Sequence, residues 1–209
     1  MFDTPYGVDL LNSLKDNKSE VKNYEDVISL NETWHRHLFL GEIDDSVGEA
    51  IESLIRFWNQ IDDENKVTAD ERKPIYIFIN SPGGELSATF TMIDAITMSK
   101  TPVYTVNIGC AYSGGFLTFL AGHKRIAYPN STFLFHEGSV SEVGGDAGKF
   151  QNFSAFYKDR LGAMKEFVLA KTNITEDFYE SIKRDDFWMT AAQAIEYGVA
   201  DEITSSFIG

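Results

Sequence analysis

Three side chains in this sequence have the chemistry of an acyl-transfer site. Ser113 stands in Gly109-Cys110-Ala111-Tyr112-Ser113-Gly114-Gly115. The apolar run from Val103 to Ile108 predicts a strand closed by Gly109, and a helix is expected over about 113–121. A serine just after a strand end, flanked by small residues and opening a helix, can expose its hydroxyl. The amide N–H groups that follow then point at whatever the hydroxyl attacks. The same placement also suits an ordinary helix-capping serine.

A serine hydroxyl is a weak nucleophile without a nearby base. The chain has four histidines, at 35, 37, 123 and 136. His35 and His37 flank Arg36 and read as surface residues, and His123 falls in a basic turn with Lys124 and Arg125. His136 ends the apolar strand Thr132-Phe133-Leu134-Phe135, and in parallel α/β folds functional groups collect at the carboxyl ends of strands. Asp186, in Lys183-Arg184-Asp185-Asp186-Phe187-Trp188, has a carboxylate that could accept the second ring N–H of a histidine and fix its tautomer. Taken alone this is a weak signal among 32 acidic residues. Gly83-Gly84, after the strand Ile75-Tyr76-Ile77-Phe78-Ile79, allows close backbone approach. The N–H of Gly84 paired with that of Gly114 would make an oxyanion hole; a plain strand-to-helix turn is the other reading.

The elements that must carry these groups alternate. Leu38-Phe39-Leu40 predicts a first strand. Ser46 and Glu49 suggest a capping box for a helix whose apolar face is Val47, Ile51, Leu54, Ile55 and Trp58. Residues 60–73 read as an exposed loop. A helix through Phe90, Ile93 and Ile96 follows the second strand. Residues 137–148, with four glycines, read as a loop. A long helix is expected at about 149–171, and another from Thr175 with Glu176 and Asp177 in its first turn. Thr190 and Gln193 suggest a second capping box, with Gly198 as the stop. Strands alternating with helices imply an α/β fold with mostly parallel pairing. The polar segment 1–33 reads as an N-terminal arm, and 34–209 as one domain.

The chain has 209 residues, 43% of them hydrophobic, enough for a core without disulfides. Its single cysteine, Cys110, suits a reducing compartment. The formal net charge of −14 disfavours nucleic acid and anionic membrane as partners. The N-terminus lacks the pattern of a secretory signal, and no stretch approaches the roughly 20 apolar residues of a spanning helix. A cytoplasmic protein is the expectation.

Four motifs, in order, resemble the proteolytic subunit of the Clp protease. Ile79-Asn80-Ser81-Pro82-Gly83-Gly84 looks like that family's oxyanion loop. Ala111-Tyr112-Ser113-Gly114-Gly115 looks like its nucleophile motif. Pro129-Asn130-Ser131 followed by Phe135-His136 resembles its histidine segment. Asp186-Phe187-Trp188-Met189-Thr190-Ala191-Ala192-Gln193-Ala194 with Glu196-Tyr197-Gly198-Val199-Ala200-Asp201 resembles its terminal run. The resemblance spans about residues 36–203. It implies Ser113 as nucleophile, His136 as general base and acid, Asp186 as the orienter of the histidine, and the N–H groups of Gly84 and Gly114 as the oxyanion donors.

For the fold, it implies the spiral of β-β-α units shared with crotonases, with the helix at 149–171 as a protruding handle. It further implies unfolded protein or peptide substrates, stacked homo-oligomeric rings and a partner ATPase of the unfoldase class. No cofactor is implied in this chain; ATP would be used by the partner. Tyr76 and Phe78 match aromatic positions of the family's docking pocket, while Met98 replaces an aromatic there. Gly114 replaces a methionine, and the segment 137–145 is longer than usual and lacks a proline. Other readings of the same residues are a crotonase-type acyl-CoA enzyme, a catalytically silent ring subunit, and a phage capsid-maturation peptidase with the same triad.

Overall fold

The computed structural model describes residues 35–138 and 146–208. Chain contacts divide it into residues 1–35 and 36–209. The expected arm over 1–33, and the glycine-rich part of the expected loop at 139–145, lie outside the described residues.

A sheet of seven strands organises the second unit. Four strands, β1 (His37–Leu40), β2 (Ile75–Ser81), β3 (Val103–Tyr112) and β4 (Lys124–Ala127), lie side by side in that order, all parallel, with β7 (Glu202–Ile203) beyond β4. The two innermost strands are rich in β-branched and aromatic residues, which favour extended backbone. Ile75, Ile77, Ile79, Val103 and Val106 are fully buried.

The long strand β3 has two partners. Its first half pairs with β4, and its second half, from Cys110 to Tyr112, pairs in parallel with β5 (Thr132–Phe135). The strand does not close at Gly109 as expected. It runs on because β5 supplies a second ladder there, a non-local pairing with no mark in the local sequence. A sixth strand, β6 (Phe187–Thr190), runs antiparallel to β5. Strands β4, β6 and β7 have no counterpart among the expected strands.

Helices α1 (Asp45–Glu64), α2 (Leu86–Met98) and α3 (Gly114–Ala121) cover the sheet, and α3 is buried throughout. The cap of α1 differs from the expected Ser46–Glu49 box. Asp44 is the N-cap: its carboxylate accepts the Val47 N–H at 2.8 Å, and the Ser46 hydroxyl donates to that same carboxylate. The helix also runs through the first residues of the expected 60–73 loop. Asp62 is held inside by two bonds from the Arg36 guanidinium and one from the Thr101 hydroxyl. His37, expected at the surface, is buried against Tyr76 and Phe78, because β1 lies beside β2.

The long helix, α4 (Ala147–Lys171), starts at Asp146, whose side chain caps the Lys149 N–H. Only Met164 and Val168 of α4 are buried. Phe150, Phe153 and Phe156, nearer its start, stay exposed. Helices α5 (Glu176–Ile182) and α6 (Ala191–Glu196) carry the expected caps, Thr175 and the Thr190–Gln193 box. Among the described residues, no helix is long and apolar enough to cross a membrane.

Candidate active site

Strand register brings three distant parts of the chain to one end of the sheet. Tyr112 at the end of β3 pairs with Leu134 of β5, so Ser113 and His136 emerge side by side. Phe135 pairs with Phe187 on antiparallel β6, so the residue after Phe135 meets the residue before Phe187. Those residues are His136 and Asp186. The Nε2 of His136 is 2.8 Å from Ser113 Oγ, and its Nδ1 is 3.3 Å from the Asp186 carboxylate. Of the other three histidines, His37 lies on β1, and His123 precedes β4 and is bonded to Val103 at the start of β3, the end opposite Ser113.

Ser113 sits at a sharp elbow, with φ 52° and ψ −118°. A non-glycine residue at positive φ is strained, and such strain persists only where its surroundings hold it. Here the Ser113 N–H donates to the Leu134 carbonyl at 2.9 Å, and its carbonyl accepts the Leu117 N–H at 3.2 Å. The side chain makes no capping bond to α3. The helix-cap reading of Ser113 is therefore set aside: the hydroxyl is directed at the imidazole.

The expected oxyanion glycines also come together. Gly84 has φ +150° and forms a parallel bridge with Ile43; the Ile43 N–H donates to the Gly83 carbonyl and the Glu85 N–H to the Ile43 carbonyl, both at 2.9 Å. A Cβ on Gly84 would overlap the Ile43 carbonyl. Ile43 thus clamps the loop, a role no local motif announces. On the other side, a Cβ on Gly114 would stand 2.5 Å from Thr89 Oγ1 and 3.6 Å from the Gly84 nitrogen. The two backbone nitrogens therefore border one small space next to Ser113, at the N-terminus of α3.

A cleft of about 760 Å³ opens beside these groups. Its walls include Leu117, Leu134, Phe90 and Met164, with Phe153, Phe156, Tyr157 and Arg160 contributed by α4. Glu137, the residue after His136, is held by α5: its carboxylate accepts the Tyr179 hydroxyl at 3.4 Å, and its N–H donates to the carbonyl of Lys183, the C-cap of that helix, at 3.3 Å. Burial, with the nearby Glu137 charge, pushes the phenols of Tyr179 and Tyr157 above their ordinary range, so both stay protonated donors. Tyr157 and Arg160 carry no mark in the sequence, because nothing local tells which face of a long helix a distant strand end will meet; Glu137 opens the segment that departs from the family pattern. Chemically, the cluster can pass a proton from a hydroxyl to an imidazole while an adjacent carboxylate balances the imidazolium. The backbone nitrogens of Gly84 and Gly114 border the space beside that hydroxyl.

These features, an elbow serine, a histidine and a carboxylate on a parallel-sheet α/β scaffold, define the serine-hydrolase class. The model of the Clp protease family matches residues 31–207. The chain belongs to the Clp protease family, whose members are serine-type peptidases. It is 32% identical over 133 residues to the ATP-dependent Clp protease proteolytic subunit 2 of Treponema pallidum, covering 63% of this chain and 66% of the relative. To the proteolytic subunit 3 of Synechococcus sp. it is 30% identical over 177 residues, covering 81% and 82%. To the proteolytic subunit 2 of Treponema denticola it is 26% identical over 202 residues, covering 95% and 96%.

Proposed function

We propose that this chain is an endopeptidase that cleaves unfolded proteins or peptides, with Ser113, His136 and Asp186 as its catalytic triad. The observation that carries the reading is the 2.8 Å approach of His136 Nε2 to a serine hydroxyl that caps nothing. In the reactive tautomer, Nδ1–H donates to Asp186 and Nε2 accepts the Ser113 proton as Oγ attacks the scissile carbonyl. The N–H groups of Gly84 and Gly114 donate to the oxyanion. His136 then gives its proton to the leaving amine, and the C–N bond breaks. A water, deprotonated by the same nitrogen, hydrolyses the acyl-Ser113 ester and restores the enzyme. Every reacting group apart from the peptide and the water comes from the chain, so the reaction as written uses no resident cofactor.

The assembly belongs to the same proposal: homo-oligomeric rings in the cytoplasm, joined through α4 and fed by an unfoldase ATPase that would be the only user of ATP. The exposed phenylalanines of α4 and the names of the relatives support it. The decisive experiment is labelling with a fluorophosphonate, followed by peptide mapping. Adduct on Ser113, lost together with cleavage of short fluorogenic peptides in Ser113→Ala, is the expected result. Unlabelled Ser113, or a Ser113→Ala protein as active as the wild type, would refute the reading.

A further inference from the structure

The cleft beside Ser113 is mostly apolar, yet three charged residues line it: Glu85, Glu137 and Arg160. They are not equivalent. Glu137 already accepts the Tyr179 hydroxyl and lies against α5 through its backbone. Glu85 is exposed at the start of α2, next to Gly84. Arg160 projects from α4 one helical turn before Met164, so the two share a face, with the buried Met164 as floor and the exposed Arg160 at the rim. The Arg160 guanidinium lies 5.7 Å from the ring centres of both Phe90 and Phe156. Among the described residues, no carboxylate lies within ion-pair distance of it. Two aromatic rings thus hold a cation in place while its donor edges stay unpaired toward the cleft.

We propose that Arg160 is a specificity-determining residue that favours peptides with an acidic side chain among the three residues before the scissile bond. The inference rests on the reading of this cleft as the peptide site. A glutamate fits the chemistry of the walls: its methylenes lie on the Leu117, Leu134 and Met164 surface, and its carboxylate reaches the fork of the guanidinium at the rim. Because the contact forms when substrate binds and does not change as the carbonyl reacts, it lowers KM and leaves kcat alone. An ion pair at a rim is screened by salt, so the preference fades at high ionic strength.

The test uses fluorogenic peptides in which glutamate is placed in turn at each of the three residues before the scissile bond, each paired with its glutamine analogue. In the wild type, the best glutamate peptide should exceed its glutamine partner in kcat/KM by about three- to tenfold, through KM. In Arg160→Gln the ratio should fall to about one, and in Arg160→Glu a lysine peptide should overtake the glutamate peptide. Affinity of the same labelled pairs for the Ser113→Ala protein, read by fluorescence anisotropy, should give the same ratios without turnover. A ratio of about one in the wild type, or one that survives Arg160→Gln, overturns the role of Arg160. If binding shows the Arg160-dependent ratio but no cleavage depends on Ser113, the peptidase reading fails while the selectivity stands.

Discussion

The Asp186 carboxylate lies 3.3 Å from Nδ1 of His136, and among the described residues no ion pair joins its neighbour Asp185 to that ring. The difference follows from the antiparallel ladder of β5 and β6, in which Phe135 faces Phe187. The residue before Phe187 must then meet the residue after Phe135. Asp186→Asn should lower kcat by about 10²- to 10⁴-fold through loss of tautomer control, and Asp185→Asn should change it less than about twofold, as is usual for a solvated site. Steady-state kinetics of the two single variants check this; a crippled Asp185→Asn would reverse the assignment.

Gly114 is packed so closely that its replacement should be felt at the proposed oxyanion site. The new Cβ of Gly114→Ala would stand 2.5 Å from Thr89 Oγ1 and 3.3 Å from Ile43 Cδ1. The Thr89 hydroxyl cannot swing away freely, because it donates to the Glu85 carbonyl at 2.9 Å. Gly114→Ala should therefore destabilise by about 1–3 kcal/mol, as overpacking does, and lower kcat by about 10-fold or more as the N–H is displaced. Adding Thr89→Ala removes the nearest obstacle and should restore part of both. A double variant no better than Gly114→Ala alone would show that the clash is not what costs activity.

Assembly should depend on the exposed start of α4. Phe150 is 53% exposed and does not line the cleft. An apolar stripe of this kind is normally covered by a partner, which in the proposed assembly is a second copy of the chain. Light scattering should give a mass several times the 23.5 kDa of one chain, and Phe150→Glu should lower it. A monomer at all concentrations, or an assembly indifferent to Phe150→Glu, contradicts the arrangement.

His123 should make stability depend on pH. Its Nδ1 accepts the Val103 N–H at 3.0 Å, which requires the neutral ring. Partial burial pushes its pKa below the ordinary value, and the charge of Lys171 adds to the effect. Because the folded value is the lower one, the unfolded chain takes up the proton first as pH falls. The stabilisation is thus fully present above about pH 6.5 and drains away as pH drops through the folded value. In His123→Asn the amide oxygen can still accept the N–H without titrating. Melting curves between pH 4.5 and 7.5 should show the wild type losing more stability than this variant over that window; parallel curves would remove His123 from the account.

Ser113, His136 and Gly83-Gly84 stood out in the sequence because each stands where a local pattern breaks, whereas Asp186 was singled out among 32 acidic residues only by the family resemblance. Ser113 follows an apolar run and precedes two glycines, His136 ends a strand, and Gly83-Gly84 punctuates another. The caps at Thr175 and Thr190 were legible for the same reason, since a cap is a bargain between a side chain and N–H groups two or three residues away. What local pattern could not decide is who lies beside whom. The extension of β3 past Gly109, the antiparallel β6, the clamp of Ile43 on Gly84 and the burial of His37 all depend on strands far apart in the chain. Their hydrogen bonds join backbone to backbone and carry no side-chain signature. The selection of Asp186 over Asp185 is decided by register, where a slip of one residue turns every side chain to the opposite face. The placing of Arg160 at the cleft is likewise tertiary, because a helix with most of its length exposed shows no period that tells which residue will face a neighbour.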